Sequence, residues 1–61
     1  MNREAYRKLL TVASEQVPFG IYAVEKDGYA ELMNRRCDSR RQLKEARRGL
    51  REQGFRVYAN G

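Results

Sequence analysis

The residues whose types could support chemistry are few, and they form no familiar catalytic pattern. The chain has one cysteine, Cys37, and no histidine, so this thiol has no imidazole base to activate it. Glu25 and Glu31 are predicted on opposite faces of a hairpin and cannot act as a pair. We therefore expect no catalytic residues, no metal ligands, no cofactor and no enzymatic activity.

Arginine and lysine dominate one short stretch of the chain. Residues 35–51 contain eight of the thirteen Lys and Arg residues and two of the eight Asp and Glu residues, a net charge of +6. The rest of the chain sums to −1, although the whole carries +5. At ~100° per residue, six of these cations share one helical arc of roughly 120°. They are Arg40, Arg41, Lys44, Arg47, Arg48 and Arg51.

This basic arc allows two interpretations. It is either a solvated helix face, whose long side chains also cover apolar surface, or a contact surface for an anionic partner, which would relieve the repulsion between like charges. Two i,i+4 ion pairs, Arg41 with Glu45 and Arg48 with Glu52, would offset part of the charge. We predict nucleic-acid contact through the arc, extended by Arg35 and Arg36.

Composition limits the class of protein. Sixty-one residues suffice for a single domain, 1–61, with a thin core. A single cysteine cannot form an intramolecular disulfide, and no apolar run is long enough to span a membrane. The first ten residues interrupt their apolar positions with charges, unlike a signal peptide. We expect a cytoplasmic protein without membrane contact.

The elements that position the arc can be predicted from local signals. Apolar residues at three- and four-residue spacing predict a first helix over 2–17, capped by Asn2 and ended by Pro18. Strands are predicted over 19–26 and 29–36, joined by an Asp27-Gly28 turn. Ser39 and Gln42 form a capping box for the second helix, and Gly54 is suited to its end. A last strand is predicted over 55–59.

These elements predict an α+β fold, a small two-layer αββαβ domain. A right-handed crossover after the hairpin places the last strand beside the first, which gives a three-stranded antiparallel sheet of order 2-1-3. We expect both helices to pack on one face of this sheet. Strict alternation would gather Phe19, Ile21, Ala23, Ala30 and Leu32 on that face. One helix on each face is the alternative.

The opposite face would then be unusually apolar for a surface that meets only water. It is predicted to carry Tyr22, Val24, Tyr29, Met33 and Tyr58. Three uses remain open for this face: a partner-protein or homodimer interface, burial within the chain, or stacking of nucleic-acid bases.

The function predicted from the sequence is a non-enzymatic basic module that contacts nucleic-acid phosphates. The first alternative is a protein-binding regulator or inhibitor, of the size found in phage or mobile-element genes. It would dock on a host protein through the tyrosine-bearing face, while its arginines meet an acidic surface. The second alternative is a homodimeric structural module.

Overall fold

A computed structural model describes residues 3–61 of the chain. Five elements follow one another: α1 (Arg3–Gln16), β1 (Gly20–Lys26), β2 (Tyr29–Arg36), α2 (Arg40–Glu52) and β3 (Arg56–Asn60). The strands form one antiparallel sheet in which β1 lies between β2 and β3. The predicted α+β class, element order and strand order 2-1-3 are confirmed.

Local sequence signals account for where the elements begin and end. The α1 helix ends two residues before Pro18, as the proline predicts. The proposed cap Asn2 lies outside the described residues. At the hairpin, Asp27 (φ 53°) and Gly28 (φ 83°) both adopt positive φ, which a type I′ turn requires. Lys26 therefore pairs with Tyr29, as predicted.

A bulge interrupts the sheet at Tyr22. The pairing of β1 with both neighbouring strands shifts between Ile21 and Ala23. On β2, two residues stand between the partners of Ile21 and Ala23, whereas the partners on β3 are consecutive. The predicted pair of Val24 with Glu31 forms, but the predicted pair of Tyr22 with Met33 does not. Beyond the bulge the alternation of side chains restarts, so Ile21 and Val24 face the same side.

The two helices lie on opposite faces of the sheet. In β3, Ala59 packs against the core that contains Leu43 of α2. The next residue, Asn60, donates hydrogen bonds to the Ser14 and Val17 carbonyl oxygens at the end of α1. Consecutive strand residues point to opposite faces. The prediction that both helices share one face, in two layers, is therefore wrong. The bulge is the reason that the apolar residues divide between both faces.

We call the two faces the α2 side and the α1 side. The buried core of the α2 side comprises Ile21, Val24, Leu43 and Ala46. Seven partly buried residues pack around it: Phe19, Met33, Cys37, Leu50, Phe55, Val57 and Ala59. The α1 side buries Ala13, Val17 and Ala23. Helix α2 lies over β1 and β3, whereas α1 lies over β1 and β2.

Candidate nucleic-acid interface

Hydrogen bonds satisfy backbone groups at both ends of helix α2, which carries the basic arc. The Ser39 hydroxyl accepts a hydrogen bond from the Gln42 N–H at 3.2 Å, and the Gln42 side chain accepts one from the Asp38 N–H at 2.7 Å. At the other end, Gly54 has φ 90°, and its N–H donates to the Arg51 carbonyl. The Phe55 N–H donates to the Leu50 carbonyl. Together the last two bonds form the Schellman motif, so the predicted Ser39 cap and the predicted stop are confirmed. The second bond of the capping box differs, because Gln42 accepts from the Asp38 N–H rather than from the Ser39 N–H.

The two faces of α2 separate as the helical periodicity predicts. Leu43 and Ala46 are buried against the sheet, and Leu50 packs beside them. The six residues of the basic arc lie away from this apolar stripe, and all are exposed except Arg47, which is partly buried. The small size of Gly49 suggests that the helix packs closely against a neighbour at this position. A Cβ placed there would meet no atom within 4 Å, so close packing does not account for the glycine.

Little negative charge offsets the arc. Arg41 approaches the Glu45 carboxylate at 3.5 Å, and both side chains are largely exposed. Within residues 3–61, the other five cations of the arc have no carboxylate within 4 Å, and the predicted Arg48–Glu52 pair does not form. An exposed pair of this kind contributes about 0.5 kcal/mol or less. The arc thus keeps most of its positive charge for solvent or an anionic partner.

Arg35 and Arg36 do not extend the basic arc. Together with Cys37 they border a shallow cleft with Gln42, Glu45 and Ala46, on the flank of α2 opposite the arc. The Arg36 guanidinium donates instead to the Gln16 carbonyl at 3.2 Å, on the α1 side. The predicted eight-residue surface therefore divides into the six residues of α2 and two residues elsewhere.

The five residues of the predicted tyrosine-bearing face are also divided. Val24 is buried in the core of the α2 side, and Met33 packs against that core. The rings of Tyr22 and Tyr58 lie together on the α1 side, 6.3 Å apart. Tyr29 is 83% exposed at the start of β2. No single partner surface or stacking platform contains all five, because the bulge sends them to different sides of the sheet.

Two apolar residues of α1 remain exposed. Leu9 belongs to the apolar spacing that predicts this helix, and its burial with that stripe was expected, but it is 41% exposed. Leu9 and Val12 lie on one flank of α1, beside the stripe that meets the sheet. A helical wheel that also included Val12 would have shown that the apolar residues of α1 extend onto this flank. Leu9 borders a cleft against the hairpin with Leu32 and Tyr29.

Side chains that could bind a metal ion do not cluster among residues 3–61. No group of three or more His, Cys, Asp or Glu side chains is placed to hold a metal ion in this part of the chain. The Cys37 thiol is partly buried, and it lies 3.9 Å from the Arg35 carbonyl oxygen. A partly buried position beside the core of the α2 side suits a small apolar side chain.

Comparisons with known proteins do not add to this description. No family model, curated protein sequence or solved structure shows significant similarity to this chain. Neither described helix combines the length and the apolar character that crossing a membrane requires. The case for a function therefore rests on the geometry and charge of the chain itself.

Proposed function

We propose that this protein binds nucleic acid through the basic arc of α2, which contacts backbone phosphates. The observation that carries the proposal is the set of exposed cations on one helix, of which only Arg41 has a carboxylate partner among the described residues. Each cation that neutralises a phosphate releases condensed counterions, which favours binding at low salt. Arg side chains also donate paired hydrogen bonds to phosphate oxygens.

The length of α2 suits contact with several phosphates. Thirteen residues extend over about 20 Å, and cations occur in each turn of the helix. The core of the α2 side and the two capped helix ends hold this element in place. Little backbone conformational entropy is therefore lost on binding. Phosphate contacts carry little sequence information. We therefore expect strong dependence on salt and weak preference among sequences.

The test compares two sets of neutralised cations. The first variant carries Lys44→Gln, Arg48→Gln and Arg51→Gln in the basic arc. The matched control carries Arg3→Gln, Arg7→Gln and Lys8→Gln, exposed cations of α1. Both remove three positive charges from helical positions and introduce the same good helix-forming residue.

Fluorescence anisotropy would measure binding to duplex DNA, single-stranded DNA and RNA over a range of salt concentrations. The arc variant should lose more than tenfold in affinity at low salt. Its slope of log K against log salt should fall by about 2–3, since each phosphate contact contributes ~0.7–0.9. The control should change both quantities much less.

Two results would contradict the proposal. Equal losses in both variants would mean that net charge, rather than the arc, governs binding. Failure of the unaltered protein to bind any of the three nucleic acids at low salt would exclude phosphate contact. An acidic protein surface, the alternative partner for the same cations, would then be the next target.

A further inference from the structure

Four large apolar side chains remain exposed among the described residues, and all four lie near one edge of the sheet. They are Leu9 and Val12 of α1, and Tyr29 and Leu32 of β2, with 41–83% of their surface exposed. Leu9, Leu32 and Tyr29 border the same cleft. Exposed apolar side chains grouped near one edge are typical of a contact surface.

The β2 strand that forms this edge is largely exposed to solvent. It is eight residues long, and every residue except Met33 is exposed. Helix α2 lies over β1 and β3, so on the α2 side β2 is covered only in part, where Met33 packs against the core and Arg35 borders the flank of α2. Long edge strands offer unpaired backbone N–H and C=O groups to another chain. The exposed apolar side chains and the free edge therefore coincide.

We propose that β2 pairs antiparallel with β2 of a second copy of this chain, which makes a continuous six-stranded sheet. Strands lie ~4.8 Å apart. Because α1 lies over β1 and β2, the two α1 axes would come within about 10 Å of each other across the two-fold axis. This is the normal distance between packed helices. Leu9 and Val12 would then be buried against their counterparts.

Charges on the α2 side of β2 favour one register among those whose two-fold axis lies at Glu31, Met33 or Arg35. Glu31 and Arg35 point to that side, since their β1 partners, Val24 and Ile21, both belong to its core. A two-fold axis at Met33 places Glu31 opposite Arg35 of the second copy, twice in the dimer. An axis at Glu31 or at Arg35 would instead place like charges opposite each other, which is unfavourable.

This inference is independent of nucleic-acid binding, because the interface uses no residue of the basic arc. Each α2 lies over β1 and β3, away from the pairing edge. The dimer would therefore leave both basic arcs free on the same face of the extended sheet. Either proposal can fail while the other holds.

The test measures molecular mass by sedimentation over a concentration series up to about 500 µM, where mass action favours a weak dimer. The protein should change from 7.2 kDa to twice that mass as concentration rises.

Glu31→Arg should weaken dimerisation more than tenfold, because it places two cations opposite each other. Adding Arg35→Glu to that variant should restore dimerisation, since the pair is then reversed. Val12→Asp should weaken it as strongly by placing carboxylates between the two α1 helices.

The substituted side chains are exposed, so the variants should fold, and circular dichroism checks this. Lys44→Asp in α2 is the control and should dimerise like the unaltered protein. A mass of 7.2 kDa at every concentration would overturn the proposal. So would a dimer that tolerates Glu31→Arg and Val12→Asp, or one that the double charge exchange fails to restore.

Discussion

The two sides of the sheet are stabilised by different means, although each is covered by one helix. The α2 side holds the larger apolar core, in which Ile21 has no exposed surface. Among the described residues, the α1 side buries only two alanines and a valine. It relies more on polar contacts, such as the Tyr58 hydroxyl, which donates to the Glu25 carboxylate at 3.2 Å. Within the described residues it also contains a buried hydroxyl without a hydrogen-bond partner, that of Tyr6.

This difference indicates that the two sides of the sheet have different roles, which we call the division of labour between them. Side-chain burial is concentrated beneath α2, so the helix that carries the basic arc is held firmly. The α1 side instead leaves apolar surface exposed at its margin, where Leu9 and Val12 lie. A second surface, such as the one inferred for β2, would complete that side.

The largest effect should follow truncation of the core on the α2 side. Ile21→Ala should lower the free energy of unfolding by about 2–5 kcal/mol, through lost burial and the cavity that remains. A domain of this size has roughly 3–9 kcal/mol in total, so much of the protein would unfold. Urea denaturation measures the change, and Ile21→Val should cost only about 1 kcal/mol.

The matched truncation on the α1 side is Leu10→Ala, because Leu10 is only partly buried. It should cost clearly less than Ile21→Ala, since less apolar surface returns to water. Equal costs for the two substitutions would show that the sides contribute alike, and the proposed division of labour would be wrong.

The next effect concerns how each helix end is secured. Helix α2 is capped by its own neighbours in sequence, whereas carbonyl groups at the end of α1 also accept hydrogen bonds from Asn60 of β3 and Arg36 of β2. The Asn60 amide donates to the Ser14 carbonyl, the Ser14 hydroxyl and the Val17 carbonyl, at 2.8–3.1 Å. Asn60→Ala should therefore cost about 1–2 kcal/mol and speed hydrogen exchange in α1 more than in α2.

A second substitution separates the hydrogen bonds from the shape of the side chain. Asn60→Asp preserves the shape but replaces the donor with an oxygen that repels the α1 carbonyls, so it should destabilise more than Asn60→Ala. Ser39→Ala should cost about 1 kcal/mol and affect exchange in the first turn of α2. If Asn60→Ala left exchange in α1 unchanged, the end of this helix would not depend on β3.

Local features of the fold could be predicted from the sequence because their causes lie within a few residues. The Ser39 cap, the Gly54 stop and the Asp27-Gly28 turn each depend on neighbouring groups, and all three form. The bulge at Tyr22 has no such signal. It arises where β1 must pair with both neighbouring strands at once. Predictions that assumed unbroken alternation were therefore wrong about which residues share a face.

The same distinction applies to the candidate site. The basic arc depends on helical periodicity alone, so its six residues were grouped correctly. Its extension to Arg35 and Arg36 required knowing how β2 meets α2, which depends on tertiary packing. The tyrosine-bearing face depended on the register of all three strands, and the bulge divided it. Surfaces carried by one element were thus predictable, whereas surfaces shared between elements were not.

The smallest predicted effect concerns the polar contacts of the α1 side at high pH. Burial raises the pKa of Tyr58 above its ordinary value of 10.0, and nearby Tyr6 and Glu25 raise it further, whereas Arg56 opposes them. The folded protein therefore holds this proton more tightly than the unfolded chain does. The resulting stability is fully present below about pH 10 and is lost as the pH rises through the pKa of the folded state.

Tyr58→Phe should remove this contribution together with the hydrogen bond to Glu25. The variant should be less stable than the unaltered protein at pH 8, and the difference should shrink above pH 10. Urea denaturation at both pH values measures it, and Tyr29→Phe, at a side chain that is 83% exposed, is the control. A difference that stays constant across this range would mean that the Tyr58 hydroxyl is not coupled to folding. The α1 side would then owe its stability to packing, as the α2 side does.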